Sequence, residues 1–375
     1  MAFSAMVSAA TGSFPGGSSP EELVAHDQAE QDPIKAPVSE SPRRSLSASG
    51  AFVELRNKHR GVAWVAGREI SGASLDPLVG NSVGWIAQTP FGWQSGVDSP
   101  SIRLKTSGGV LWGETDEGLA TTTRLARERG IKTLLKPHIW VRGKWRGDIA
   151  MADEAAWKEW FQNYETFLLH YARLAEGLKI EALCIGTELH RTVKEKPDQW
   201  RRLIRAVRKV YSGQLTYAAN WYQEFEDVSF WEELDFIGVQ AYFPLRSQPG
   251  GTVAQLRDGW QQPLRALEAV SKKAGKPVLV TEVGYRSTSG ASQKPWEWPQ
   301  RGNPAPVDLV TQKRAYEAFF QEVWPQPWVA GVYWWKWYPG PSRSGKNDDF
   351  TPQGKPAEGV MGEYFLQARD SSRVP

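Results

Sequence analysis

The feature that most constrains the fold is an alternation of short apolar runs with longer helix-like segments, which begins at about residue 52. The runs have the composition and length of buried β-strands, and the alternation continues almost to the end of the chain. We predict eight strands, at residues 61–67, 83–88, 132–141, 182–188, 214–221, 236–243, 277–283 and 328–337.

The segments between these runs have the spacing of amphipathic helices. Residues 153–176 are the clearest case, because their aromatic and aliphatic side chains recur at intervals of three and four residues. Gly130 and Gly275 each end a helix directly before a new strand, as is typical of helix-to-strand connections. The first and the fifth crossovers are poorly marked. Further helices are predicted at residues 117–129, 197–211, 252–274 and 307–324.

Eight strand–helix units predict an α/β protein, a closed parallel (β/α)8 or TIM barrel that residues 51–370 form as a single domain. An open, doubly wound sheet is the alternative. However, no glycine-rich nucleotide-binding motif follows any strand. Residues 1–50 are rich in Ser, Pro, Gly and charges, so we expect a disordered leader. Its first ten residues are either the remnant of a signal peptide or an irregular N-terminus. The former would make the protein secreted, periplasmic or attached to the cell surface.

Composition argues against several classes of function. The net charge is only +3 and the basic residues are scattered, which indicates binding to neither nucleic acid nor an anionic membrane. No segment approaches the roughly 18 apolar residues of a membrane span. With Cys184 as the single cysteine and five dispersed histidines, we expect no disulfide, no metal site and no organic cofactor. The 19 tryptophans exceed ordinary packing needs, and stacking on sugar rings would explain part of the excess.

Two of the predicted strands end in a Thr-Glu pair. Glu188 closes the fourth strand and Glu282 the seventh. In a parallel barrel the chemistry lies at the carboxyl ends of the strands, so both carboxyl groups are expected at the rim of one pocket. Glycoside cleavage needs two such groups, one to protonate the leaving oxygen and one to attack the anomeric carbon or to activate water. A structural or metal-binding role is the alternative for either glutamate alone, and the pair favours catalysis.

These features resemble the clan of retaining (β/α)8 glycosidases, whose acid/base follows strand four and whose nucleophile follows strand seven. The resemblance covers about residues 58–362 and implies that Glu188 is the acid/base and Glu282 the nucleophile. Many clan members have Asn directly before the acid/base, where it binds the sugar 2-hydroxyl, whereas this chain has Thr187. Within the clan, four segments are similar to glycoside hydrolase family 113, of endo-β-mannanase type: LKPHI at 135–139, IGTEL at 185–189, TEVGY at 281–285 and GVYWW at 331–335.

Other predicted rim residues suit sugar binding. Lys136, His138 and Trp140 come from the third strand, and a structural histidine is an equally open interpretation of His138. Asn220 ends the fifth strand, where an amide would suit sugar hydroxyls. The resemblance to the clan implies that Tyr242, which closes the sixth strand, donates a hydrogen bond to the nucleophile and keeps it ionised. A core aromatic is the alternative for Tyr242. We expect the nucleophile's donor to be this tyrosine or an arginine.

Aromatic side chains are densest on the eighth strand. Alternation sends Trp335 and Trp337 to one face and Trp334 to the other, and we predict that Trp335 and Trp337 stack on sugar rings. Trp93, which follows the second strand, is a further candidate for substrate binding. The tryptophans of the loop segment 296–298 are expected to pack locally rather than to bind substrate.

The leading hypothesis is a monomeric retaining hydrolase that cleaves β-1,4-mannan or manno-oligosaccharides with two glutamates. A β-glucanase with the same pair is an alternative. A non-catalytic carbohydrate-binding barrel is another, although two intact glutamates argue against it. A metal-dependent barrel would need His and Asp ligands at several strand ends, where the sequence offers only His138 and His190.

Overall fold

Eight parallel strands close into a barrel, and they follow one another around it in chain order. The computed structural model describes residues 51–298, 305–340 and 347–371. The predicted (β/α)8 fold is confirmed. The barrel strands are β1 (His59–Trp64), β2 (Trp85–Gln88), β3 (Lys132–Leu135), β4 (Ala182–Thr187), β5 (Gln214–Asn220), β6 (Phe236–Gln240), β7 (Val278–Val283) and β8 (Val329–Trp337).

The side chains of most barrel strands alternate between two hydrophobic clusters. On β4, Ala182 and Cys184 belong to a small cluster inside the barrel. Ile185 belongs instead to the large cluster that also contains Trp160 and Trp200 of the surrounding helices. Both faces of a strand are therefore buried, which is why the strands read as continuous apolar runs in the sequence.

The helices surround the barrel, and the five clearly predicted ones are present within a few residues of their expected bounds. Gly275 has a φ of 65° and ends its helix as predicted, because this left-handed conformation favours glycine. The last helix has no counterpart among the predictions. The helices are α1 (Asp76–Gly80), α2 (Asp116–Arg127), α3 (Glu154–Gly177), α4 (His190–Glu195), α5 (Pro197–Arg208), α6 (Val253–Ala274), α7 (Leu309–Glu322) and α8 (Pro356–Asp370).

The two crossovers that the sequence marks poorly are also the least helical. Between β1 and β2 the only α-helix is the five-residue α1. Between β5 and β6, where every residue is described, the chain forms a short 3-10 turn at Trp231–Glu233 and no α-helix. The two segments that lack a helical repeat in the sequence therefore contain little or no α-helix in the structure.

The third predicted strand, at residues 132–141, is wrong in its length. β3 ends at Leu135, and His138–Val141 pairs with Phe91–Gln94 in a separate sheet of three strands. Pro137 lies at the break, and a proline has no N–H to donate to a barrel neighbour. The small sheet continues β2 and β3 beyond their carboxyl ends, so it lies at the carboxyl end of the barrel strands.

None of the described helices is long and apolar enough to cross a lipid bilayer. The described residues also contain no group of three or more His, Cys, Asp or Glu side chains that could hold a metal ion. Cys184 is buried and free. The leader predicted for residues 1–50 lies outside the described residues.

Candidate active site

The parallel arrangement of the strands brings Glu188 and Glu282 to the same end of the barrel. Glu282 is the penultimate residue of β7, and Glu188 directly follows the last residue of β4. Both are buried, with 7% and 4% of their surfaces exposed. Glu188 has a φ of 52°, a left-handed conformation that is unusual for a residue with a side chain. Strained backbone of this kind is concentrated at functional sites.

Two donors hold the carboxylate of Glu282. The hydroxyl of Tyr242 donates to Oε1 at 2.7 Å, so the hydrogen bond that the clan resemblance implies is present. The ammonium of Lys136 donates to Oε2 at 2.8 Å and forms a buried ion pair with it. A hydrogen-bonded ion pair stabilises the ionised form of a carboxyl group. The prediction of Tyr242 or an arginine thus misses the lysine.

The side chain of Lys136, which was predicted to contact the substrate, is completely buried among protein acceptors. Besides Glu282, its Nζ donates to Oε1 of Gln240 at 2.7 Å and to the carbonyl of Thr281 at 3.3 Å. These three acceptors match the three protons of an ammonium group. Lys136 therefore orients Glu282 and has no proton left for a sugar.

Glu188 lies in a different environment. Burial raises its pKa, and the nearby charge of Glu282 raises it further. The charges of Arg146 and Lys136 lower it in part, as does the hydrogen bond from Asn220, whose Nδ2 donates to Oε1 at 2.7 Å. Asn220, predicted as a sugar ligand, thus holds the carboxyl group of Glu188. The net effect is that Glu188 retains its proton to a higher pH than an exposed glutamate would.

The ring of His138 is held in one protonation state by Arg146. Nη1 of Arg146 lies 2.9 Å from Nδ1 of His138, and both residues are buried. An arginine can only donate, so Nδ1 must accept and the proton must lie on Nε2. Burial lowers the pKa of His138 well below its usual value, and the charge of Arg146 lowers it further. In the described part of the chain, Nε2 has no hydrogen-bond partner, which leaves one N–H free for a ligand.

The small sheet carries an aromatic surface next to His138. Trp93 and Trp140 pair in register on neighbouring strands, with ring centroids 5.6 Å apart. Phe91 contacts the rings of both His138 and Trp140. Both tryptophans are half-buried, so part of each ring stays accessible. The structure thus places three predicted substrate-binding residues together, although the role of each in binding stays a prediction.

The tryptophans of β8 differ in exposure. Trp335 is half-buried and lies beside Gly284, two residues beyond Glu282. Trp337 is 1% exposed and belongs to the same core cluster as Trp334. The ring of Trp337 therefore packs in the core, and the stacking on a sugar predicted for it stays a prediction without support from its surroundings. Trp298 contacts Trp335 edge-on, in agreement with local packing of the loop tryptophans.

Comparison with known proteins shows the family to which the chain belongs. The family model described as Glycoside Hydrolase Family 113 matches residues 61–355. The chain belongs to glycoside hydrolase family 113. It is therefore a glycoside hydrolase, and the resemblance seen in the sequence motifs is confirmed. No curated protein sequence matches this family 113 chain.

Solved structures of family 113 enzymes have the same fold. The β-mannanase of Alicyclobacillus acidocaldarius, in complex with ManMIm, is 29% identical; the match covers 83% of this chain and 98% of that one, with a TM-score of 0.73. A complex of a family 113 β-1,4-mannanase is 28% identical over 83% and 99% of the two chains, with a TM-score of 0.72. The β-glucuronidase of Faecalibacterium prausnitzii is 13% identical over 86% of this chain and 51% of its own, with a TM-score of 0.57. That last likeness shows only a shared fold.

In this family 113 chain, Asn220 provides an amide beside Glu188. Thr187, which stands where many clan members have Asn, is 1% exposed, and its hydroxyl lies 3.9 Å from the sulfur of Cys184 in the barrel interior. Nδ2 of Asn220 reaches Glu188 instead, from the neighbouring strand β5. Thr187 is therefore engaged with the core, and the amide comes from a position that the local motif does not reveal.

Sequence reasoning missed two charged residues of this family 113 site. Arg146 lies in a short 3-10 turn after the small sheet, where nothing in the local sequence distinguishes it from a surface arginine. Glu224 follows β5 and is 1% exposed, with hydrogen bonds to Tyr217 and Asn220. A charged residue in a polar loop is normally solvated, so only the three-dimensional contacts reveal its burial.

Proposed function

We propose that this family 113 enzyme hydrolyses β-1,4-linked mannan or manno-oligosaccharides with retention of anomeric configuration. The choice of substrate is supported by family membership and by solved structures that carry the name β-mannanase or β-1,4-mannanase. These relatives are 26–29% identical, and the matches cover at least 98% of their chains. The likeness therefore includes the whole catalytic barrel.

The observation that carries the mechanism is the contrast between the two carboxyl groups. Glu282 receives hydrogen bonds from the Lys136 ammonium and the Tyr242 hydroxyl, which favour its ionised form. Glu188 is buried beside that negative charge, and its pKa is raised. Two carboxyl groups whose environments favour opposite protonation states suit a nucleophile and a general acid. We assign these roles to Glu282 and Glu188 respectively.

The proposed reaction has two steps. In the first, the Glu282 carboxylate attacks the anomeric carbon, and the glycosidic bond breaks as Glu188 gives its proton to the leaving oxygen. In the second, Glu188 is ionised and removes a proton from water, whose oxygen attacks the anomeric carbon and releases Glu282. The negative charge that forms on Glu188 is stabilised by the positive charge of Arg146, one of the two cations that lower the pKa of Glu188.

Substrate recognition is proposed to use the small sheet and β8. Nε2–H of His138 is a buried donor that a sugar hydroxyl can satisfy, and an unsatisfied buried donor costs about 1–3 kcal/mol. The half-buried rings of Trp93, Trp140 and Trp335 offer faces for pyranose stacking. Export from the cell and a monomeric state both stay predictions.

The proposal is tested by replacement of Glu282. Glu282→Ala is expected to lose turnover on manno-oligosaccharides by at least about 10⁴-fold while it still binds them, because the step that forms the glycosyl–enzyme bond has no nucleophile. Calorimetric titration measures the binding. The matched control is Glu268→Ala on α6, which removes a surface carboxyl whose one ion pair within the described residues is with Lys272, and it should leave turnover intact. Unchanged hydrolysis by Glu282→Ala would contradict the mechanism.

Two further measurements test the stereochemistry and the sugar. Proton NMR of the wild-type reaction should show the β-anomer of the product first, and the α-anomer only after mutarotation. Initial rates on mannan, glucomannan, xylan and β-glucan should be highest on the first two. Faster cleavage of β-glucan would replace the substrate assignment without affecting the assignment of the two glutamates. Initial appearance of the α-anomer would overturn retention.

A further inference from the structure

Glu224 is a buried carboxyl group that the proposed reaction does not use. It lies in the loop after β5, and 1% of its surface is exposed. Its Oε1 accepts a hydrogen bond of 2.5 Å from the hydroxyl of Tyr217, and its Oε2 accepts one of 2.6 Å from the backbone N–H of Asn220. Burial of a carboxyl group is unfavourable, and these two bonds offset part of that cost.

Both partners of Glu224 lead to Glu188. The hydroxyl of Tyr217 accepts a hydrogen bond of 2.7 Å from the backbone N–H of Leu189, the residue that follows Glu188. The side chain of Asn220 donates to Oε1 of Glu188 at 2.7 Å. Glu224 is therefore connected to the backbone beside Glu188 by one route and to its carboxyl group by the other.

The backbone at Glu188 needs such support. Its φ of 52° is a sparsely populated conformation for a residue with a Cβ, and such a conformation persists only when its surroundings hold it. The N–H of Glu188 donates to the carbonyl of Ala218 at 2.9 Å. With the bond from Leu189 to Tyr217, two successive amides are thus anchored on β5.

Close packing brings Tyr217 within reach of Leu189. A Cβ at Gly186 of β4 would lie 2.8 Å from the Tyr217 ring and 2.7 Å from the ring of Trp200. The glycine therefore leaves the space in which the tyrosine ring lies against β4. This placement directs the hydroxyl towards the end of the strand, between Leu189 and Glu224.

We propose that Glu224 is a positioning residue for the general acid/base, and that it acts through Tyr217 and Asn220 to hold Glu188 in its proton-transfer geometry. The inference rests on the proposed role of Glu188. The two donors that face Glu224 require two acceptor atoms. Burial raises the pKa of Glu224 to about 8, and both oxygens of a carboxyl group can accept a hydrogen bond in its ionised and in its protonated form, whereas a glutamine supplies one acceptor and one donor.

The test compares substrates that differ in their need for acid catalysis. A manno-oligosaccharide such as mannotetraose has a poor leaving group, whereas a 2,4-dinitrophenyl β-mannobioside has one that departs without a proton. Glu224→Gln and Tyr217→Phe are expected to lower kcat/KM for mannotetraose by about 10- to 100-fold, within the usual contribution of general acid catalysis. For the dinitrophenyl substrate we expect a change of less than about 3-fold, since its departure does not rely on Glu188.

A matched control is Tyr211→Phe. Like Tyr217→Phe, it removes a buried tyrosine hydroxyl, but this hydroxyl donates to the backbone carbonyl of Ile180, at 2.8 Å. It should leave the ratio of the two kcat/KM values unchanged. Equal losses on both substrates in Glu224→Gln and Tyr217→Phe, or no loss on either, would overturn the inference.

The variant Glu188→Ala in the same assays separates the inference from the proposal on which it rests. If Glu188→Ala loses activity selectively on mannotetraose and the other two variants do not, the role of Glu224 is wrong and that of Glu188 stands. If Glu188→Ala shows no selectivity, the assignment of the acid/base itself is wrong.

Discussion

The ammonium of Lys136 lies 2.8 Å from Oε2 of Glu282, and this contact joins opposite sides of the barrel. Lys136 directly follows β3 and Glu282 belongs to β7, four places away in a ring of eight strands. The side chains of the pair are 1% and 9% exposed. In an ion pair that is so poorly solvated, removal of one partner leaves the other as an uncompensated buried charge.

Lys136→Met is expected to lower kcat/KM by at least about 100-fold, because loss of one partner leaves a buried charge uncompensated. The Glu282 carboxylate then keeps one side-chain donor, the hydroxyl of Tyr242. Lys58→Met is the matched control: Lys58 is also buried, but it donates to the carbonyls of Trp324 and Gln326 beneath the barrel. That variant should lose stability and keep most of its kcat/KM, which steady-state kinetics on manno-oligosaccharides measures. A kcat/KM that falls no further in Lys136→Met than in Lys58→Met would show that the ion pair does not govern the nucleophile.

Tyr242→Phe removes the other donor to Glu282. We expect kcat to fall by roughly 10- to 100-fold with a small change in KM, since the missing hydrogen bond acts on the reacting carboxylate rather than on the bound sugar. Tyr316→Phe is the control, because this buried hydroxyl has no hydrogen-bond partner among the described residues. Steady-state kinetics on manno-oligosaccharides measures both. A loss of the same size in the two variants would point to general disruption of the barrel.

The pH dependence of the rate provides a test of Arg146. Glu188 must be protonated in the first step, so kcat/KM should fall as pH rises through its pKa. Burial raises that pKa, and the guanidinium of Arg146 lowers it in part. Arg146→Gln should therefore shift the basic limb to higher pH. Arg205→Gln makes the same change of charge on the exposed face of α5 and should leave the profile unchanged. A basic limb that stays in place in Arg146→Gln would contradict the electrostatic coupling.

Replacement of two tryptophans on β8 should separate binding from stability. Trp335→Ala is expected to raise KM by about 5- to 10-fold with little change in melting temperature, because the half-buried ring offers stacking area. Trp337→Ala should instead lower the free energy of unfolding by about 3–5 kcal/mol, as a large core side chain is lost. Affinity measurements and denaturant titrations on each variant decide the matter. A large increase in KM for Trp337→Ala at unchanged stability would show that Trp337 contacts the substrate.

Local patterns were enough to predict the barrel and the positions of its two glutamates. The apolar runs set the strands, and the three- and four-residue spacing in α3 set the longest helix. A residue at the end of a parallel strand lies at the catalytic end whatever its neighbours are, so Glu188 and Glu282 could be placed without coordinates. Tyr242 could be placed through the resemblance of its strand end to the clan.

The contacts that define the charge states depended on tertiary structure, because they join residues far apart in the chain. Lys136 and Glu282 are separated by 146 positions, and no local pattern distinguishes a lysine that crosses the barrel from one that faces a sugar. The end of the barrel strand before Pro137 and the burial of Trp337 likewise depend on which neighbouring side chains and strands the closed barrel supplies. The sequence by itself determined where the carboxyl groups lie. Tertiary packing decided which of them is paired with a cation, because that depends on the side chains that the closed barrel brings together.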